Sequence, residues 1–279
     1  MRAFGRAAWA LALSCHIGPT LAVTALAVTL AIGVGSEART CVLVGAAVLS
    51  GQLSVGWSND WVDSARDLAV GRRDKPIVAG LVTVRAVRAG ALTAATVCVP
   101  LSLSTGWRAG CVHLLAVTAA WGYNVRLKST PWSWAPYAIS FALLTAFVTL
   151  ALPGHPWPAP WALGAAALLG VGAHLANALP DLEDDRATGV RGLPHLLGRA
   201  TSSLLASAAL LAASGLIVLG RAARPSVGDW LGLLVTAGIA TTGVFVALRH
   251  HHSRVPFYLT MVVAGVAVIL LVRAGPLLV

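Results

Sequence analysis

Charge is scarce in this sequence of 279 residues: only 11% are Asp, Glu, Lys or Arg, against roughly a quarter in ordinary soluble domains. Acid is scarcest, at 10 residues against 20 basic ones. The few cysteines (Cys15, Cys41, Cys98 and Cys111) lie singly in apolar segments with no C-x-x-C pair. That argues against a thiolate metal site or a disulfide framework and leaves them as small core residues. G-x-S-x-G, P-loop and G-x-G-x-x-G patterns are missing, so hydrolase, ATPase and nucleotide-cofactor readings have no support. No motif or aromatic-basic surface points to nucleic acid.

Apolar residues, by contrast, make up 57% of the chain. Such a composition cannot be hidden in one aqueous core, so lipid must cover it. Runs of roughly 16–20 apolar residues, near membrane thickness, mark nine expected spans: Ile17–Gly35, Cys41–Trp57, Ala89–Gly106, Ala109–Asn124, Trp134–Pro153, Trp161–Leu179, Ser202–Gly220, Trp230–Leu248 and Val255–Val272. Trp57, Trp107, Trp134, Trp157, Trp161 and Trp230 sit at their ends as an interfacial belt, and Pro131, Pro153, Pro156, Pro158, Pro160 and Pro256 break helices between them. The first apolar stretch is expected to be a retained span, not a signal peptide, because it is longer than a signal core and no small-residue cleavage site follows. The expectation is one all-α polytopic membrane domain over residues 1–279.

Two connections are long, Ser58 to Arg88 and Pro180 to Ala200. They hold eight of the ten carboxylates: Asp60, Asp63, Asp67 and Asp74 in the first, Asp181, Glu183, Asp184 and Asp185 in the second. Four spans separate them, which puts both on one side. With the N-terminus inside, fifteen of the twenty basic residues fall on inside segments and five (Arg39, Arg108, Arg221, Arg224, Arg273) outside. This is a strong positive-inside bias, and it places the acidic segments in the cytoplasm beside anionic lipid.

The spacing inside these segments is the most informative feature. Asn59, Asp63 and Asp67 recur every four residues, and so do Asn177, Asp181 and Asp185. On a helix, positions four apart share a face. Each set therefore projects an amide and two carboxylates one way, and the two sets could face one another. Carboxylates stacked like this repel and are costly at a membrane edge unless a cation compensates. Arg66, Arg72, Arg73, Arg186 and Arg191 are near enough to do so. So is Mg²⁺, which takes oxygen ligands and commonly bridges one or two carboxylates to phosphates. One acidic loop alone would read as a solvated loop paired to arginine; two with the same spacing on one side favour a shared cation. Ca²⁺ is less attractive, since no EF-hand pattern appears.

N-D-x-x-D-x-x-x-D after the second span, G-R-R-D-K-P-I-V-A-G, Y-N-V-R-L-K (Tyr123 to Lys128), and D-x-x-x-D with D-D-R-A-T-G-V-R-G-L-P after the sixth together resemble the UbiA superfamily of intramembrane prenyltransferases, over essentially the whole chain. The resemblance implies about nine helices around a central lipid-open cavity, with cytoplasmic cap loops after helices two and six, and for a bacterial member a plasma (inner) membrane location. It implies that Asn59, Asp60, Asp63 and Asp67 bind Mg²⁺ and diphosphate, with Asn177, Asp181 and Asp185 doing so from the opposite loop. Asp63, Asp181 and Asp185 would carry catalysis. Arg72, Arg73 and Lys75 would hold diphosphate oxygens, with Tyr123 and Lys128 contributing from the next loop. The partners implied are an isoprenyl diphosphate and a lipophilic acceptor. A terpene cyclase on the same fold would use the same ionisation without an acceptor. A transporter should instead show acids or interrupted helices near the midplane.

Aromatic faces could stabilise an allylic cation, which makes Trp57, Trp61 and Trp121 cavity candidates besides Tyr123; interfacial anchoring is an equal alternative for each tryptophan. His174, one turn before Asn177, is either a cavity residue or a hydrogen-bonded core histidine. His16 near Pro19 reads as packing or a kink. His250, His251 and His252 read as a plain turn, because adjacent residues do not face one another on a helix. The arginine distribution gives a direct test. Reporter fusions at Gly71, Gly189 and Val279 should read inside, inside and outside; an inside signal at Val279 would remove a span from the count.

Overall fold

The computed structural model describes residues 9–73, 75–180, 182–187, 189–249 and 255–279. Asp74, Asp181 and His250 to His252 thus lie outside the described residues, as do the side chains of Glu183 and Asp184. Eleven helices are present among the described residues: α1 Ile17–Gly33, α2 Ala38–Val70, α3 Val84–Leu103, α4 Trp107–Val125, α5 Ala135–Leu150, α6 Pro160–Asn177, the short α7 Leu182–Ala187 and α8 Leu193–Leu197, then α9 Arg199–Leu219, α10 Val227–Arg249 and α11 Val255–Arg273. Every apolar stretch marked in the sequence holds one of the long helices. By length and composition α2, α3, α9 and most of α10 suffice to cross a membrane, while α1, α5 and the Tyr258–Arg273 part of α11 are shorter apolar helices.

The ends of the elements follow from local chemistry. Proline stands in the first turn of α5, α6 and α8, where its missing N–H costs nothing. Thr83 caps α3, its side chain accepting a hydrogen bond from the Ala86 amide at 3.2 Å. One boundary differs from expectation. The stretch from Ser58 is not a loop: α2 runs on through Val70 and stops at Gly71, whose φ of 70° suits the glycine-favoured left-handed stop. The periodic N-x-x-x-D-x-x-x-D set therefore rides on one continuous 33-residue helix.

Consecutive long helices pack side by side, α9 lies against α6, and α11 returns to α1 and α6. The apolar core fills one end of this bundle. Leu30 of α1, Val44 and Val48 of α2, Phe147 and Leu150 of α5, Leu210 and Ile217 of α9 and Leu271 of α11 are all buried there. Large apolar side chains such as Val42, Leu115, Leu234 and Ile269 stay exposed on the outside, as suits a surface solvated by lipid.

Close approach of the helices depends on small residues, which is how helices associate where no water drives them together. A Cβ on Gly170 of α6 would stand 2.4 Å from the Tyr137 carbonyl oxygen of α5. That neighbour is backbone and cannot give way. Gly170→Ala is therefore expected to cost about 1–3 kcal/mol by overpacking and to lower the melting temperature in detergent by several degrees. Gly215→Ala, with open space around the new methyl, should leave it unchanged. Equal melting of both variants and the parent would contradict this packing.

Candidate active site

The end of the bundle opposite the apolar core is polar and holds a cavity of about 430 Å³. It is walled by the last turns of α2, α4 and α6 and by the segments that follow each. Because α2, α4 and α6 all end on this side, residues far apart in sequence converge. Asn59, Asp60, Asp63 and Asp67 face it from α2, Arg72 and Lys75 from the loop after α2, Tyr123 from the end of α4, Lys128 from the segment that follows it, His174 and Asn177 from α6, and Asp185 from α7.

Each carboxylate wall is matched by cations. The Lys75 ammonium donates to Asp60 Oδ1 at 2.7 Å, and the His16 ring reaches the same oxygen at 3.2 Å. Across the cavity Lys128 pairs with Asp63 Oδ1, while Arg66 holds the other oxygen at 3.0 Å. Burial pushes the Lys128 ammonium below its ordinary range, against the pull of Asp63. On α7, burial pushes the Asp185 carboxyl up, but the His195 hydrogen bond at 3.3 Å and the charges of Arg66, His195 and Arg72 outweigh it and hold it below its ordinary value. Asp67 is different. It is only 3% exposed, yet among the described residues no side-chain donor bonds to it.

Deeper in, Tyr123 meets Tyr137 edge-on with ring centres 5.2 Å apart, and His174 packs against both. His174 Nε2 lies 3.0 Å from Ser133 Oγ, and that hydroxyl also accepts the Leu193 amide at 2.9 Å. His174 is thus both things the sequence allowed, a cavity residue and a hydrogen-bonded core histidine. Ser133 thereby fastens α6 and the start of α8 to the loop before α5.

Other expected residues stand elsewhere. Arg73 is exposed and is not among the residues lining the cavity. Nor are the three tryptophans. Trp57 donates to the Leu11 carbonyl at 2.8 Å, Trp121 donates to Ser54 Oγ at 3.2 Å, and Trp61 meets Trp121 edge-on beneath the Arg88 guanidinium. Two wall residues were missed. His16 is no mere kink: with φ of 55° it turns its ring onto Asp60 and Lys75. His195 carries no spacing signal in the sequence, because its partner Asp185 is reached through a chain reversal at Gly189, φ 83°.

The donor chemistry fits a hard cation. Carboxylate and amide oxygens of Asn59, Asp60, Asp63, Asp67, Asn177 and Asp185 line one cavity, and among the described residues no side-chain donor bonds to Asp67. Among the described residues no three acidic, His or Cys side chains form a cage for an ion. Mg²⁺ needs none, since it usually keeps several waters and is held by one or two carboxylates plus phosphate oxygens.

An all-helical bundle with a polar cavity between two acid-bearing helix ends, basic side chains interleaved, defines the class. The chain belongs to the UbiA prenyltransferase family, whose model matches residues 18–256. It is 32% identical over 205 residues to the bacteriochlorophyll synthase 33 kDa chain of Cereibacter sphaeroides, a match spanning 68% of this chain and 66% of that one. It is 30% identical over 152 residues to the digeranylgeranylglyceryl phosphate synthase of Methanopyrus kandleri, spanning 53% and 55%. The chain thus spans just under two thirds of the first relative's length and just over half of the second's. The fold is also that of a UbiA homologue from Archaeoglobus fulgidus solved with DMAPP and Mg²⁺ (TM-score 0.67, 14% identity, 94% and 98% coverage).

The Ser133 clasp yields a prediction. Its hydroxyl is fully buried, and removing it leaves the Leu193 amide and His174 short of a partner, which costs about 1–3 kcal/mol. Ser133→Ala should lower the melting temperature by several degrees and speed tryptic cleavage at Arg191. Unchanged melting and cleavage would show that the clasp does not hold the segment.

Proposed function

We propose that the chain transfers a prenyl group from an isoprenyl diphosphate to a lipophilic acceptor, such as an aromatic ring, within the bacterial plasma membrane. In this reading the nine long helices span the bilayer and leave the cavity open to lipid. The acidic end of α2 and the acidic segment after α6 face the cytoplasm, the segments at 71–83 and 178–198 cap the cavity there, and the C-terminus lies outside. The observation that carries the proposal is the convergence on one cavity of oxygen-rich α2 and α6–α7 walls with Arg66, Arg72, Lys75 and Lys128 between them. A diphosphate is the group that such a mixture of cations and metal-binding oxygens recognises.

Asn59, Asp60, Asp63, Asp67, Asn177, Asp181 and Asp185 would hold Mg²⁺, which when bound neutralises a diphosphate leaving group. Lys75 and Lys128, now paired with Asp60 and Asp63, are poised to trade carboxylate for phosphate oxygens. Arg66 and Arg72 add planar, directional donors. As the carbon–oxygen bond breaks, both electrons leave with the diphosphate. The allylic carbon is left facing Tyr123, whose ring face can stabilise positive charge. An acceptor electron pair then forms the new bond, and the acceptor loses a proton.

Activity should vanish with chelator and return with Mg²⁺. Asp63→Ala and Asp181→Ala should each lower turnover by about a hundredfold or more, as when electrostatic stabilisation of developing charge is removed. Full turnover in excess chelator would sink the mechanism.

A further inference from the structure

Asn59 is the one uncharged oxygen donor on the acid-bearing face of α2, and its side chain offers the cavity either an oxygen, which suits a cation, or an NH₂, which suits a diphosphate. The hydrogen-bond network around it settles the choice. Asn124, at the end of α4 and only 2% exposed, places one side-chain atom 2.8 Å from the Val55 carbonyl oxygen and 2.8 Å from Ser58 Oγ. A carbonyl only accepts, and the Ser58 hydroxyl already spends its hydrogen on that same Val55 oxygen at 2.8 Å. The Asn124 atom there must therefore be the amide nitrogen. Its oxygen then faces Asn59 at 3.1 Å and can only accept. So Asn59 turns its NH₂ toward Asn124 and leaves Oδ1 for the cavity it lines. Among the described residues no donor bonds to that oxygen.

We infer that Asn124 is a positioning residue that fixes the Asn59 amide with its oxygen toward the cavity, making Asn59 a cation ligand and not a diphosphate donor. The inference rests on the proposed Mg²⁺-dependent reading of this cavity. It adds a residue that touches neither metal nor substrate and acts only by choosing the sign of the dipole at position 59. Partners behind a metal ligand orient it in this way, and losing one costs roughly tenfold or more in metal affinity.

The test is a Mn²⁺ titration of purified protein in detergent, without diphosphate, followed by loss of the free-ion EPR signal. Asn124→Leu removes the acceptor at similar size and frees the Asn59 amide to turn. It should weaken Mn²⁺ binding about tenfold, and adding Asn59→Asp, which presents oxygen in either orientation, should restore it. Inorganic diphosphate binding measured without metal should not fall in Asn124→Leu. If that variant is not monodisperse, Asn124→Ala gives the same comparison with the site underfilled instead of overpacked. Unchanged Mn²⁺ affinity in a folded position-124 variant, or failure of Asn59→Asp to restore it, overturns the inference alone. Failure of the parent chain to bind Mn²⁺ overturns the metal reading of the cavity and the inference with it.

Discussion

Carboxylates gathered at the end of an apolar bundle must be compensated, and the arrangement of the polar end follows from that requirement. A charge withdrawn from water without a partner is among the costliest features a fold can carry. Here Asp60 meets Lys75 and His16, Asp63 meets Lys128 and Arg66, and Asp185 meets His195. Apart from Asp63–Arg66, which lies within α2, these pairs cross between elements. Asp63 to Lys128 joins α2 to the segment after α4, and Asp60 to Lys75 folds the loop after α2 back over the cavity. The ion pairs that make the acids tolerable also close the site around its contents.

The same pairs leave the site poised. Lysines paired with carboxylates can exchange them for phosphate oxygens, at the moment when freed carboxylate oxygens become available to a hard cation. Asp67, buried and without a side-chain donor among the described residues, already offers such oxygens. The aromatic layer beneath, Tyr123 with Tyr137 and His174, separates this polar end from the apolar core, and the Ser133 clasp holds the α6–α8 segment against it.

Much of this was legible in the sequence. Nine apolar runs located the long helices, and the four-residue spacing of Asn59, Asp63 and Asp67 located one wall and its direction, because both are periodic signals carried by single elements. What periodicity could not show is where the helix stops: the polar residues after Trp57 looked like a loop but extend α2 to Val70. His16 and His195 stayed hidden because their partners lie 44 and 10 residues away, at distances that only the packed chain closes. The tryptophans misled for the opposite reason. An indole beside an acidic motif looks like cavity lining, but the ring of Trp61 is taken by Trp121 and Arg88, and Trp57 and Trp121 spend their N–H groups on Leu11 and Ser54.

The central claim is that the cation released in this cavity is captured by a second molecule. The most direct measurement is product analysis of the purified protein with a set of prenyl diphosphates and Mg²⁺, with and without lipophilic aromatic acceptors. The account predicts diphosphate release strongly stimulated by a suitable acceptor and a prenylated product extractable into organic solvent. Rapid release without any acceptor, together with a cyclic hydrocarbon or terpene alcohol, would contradict it.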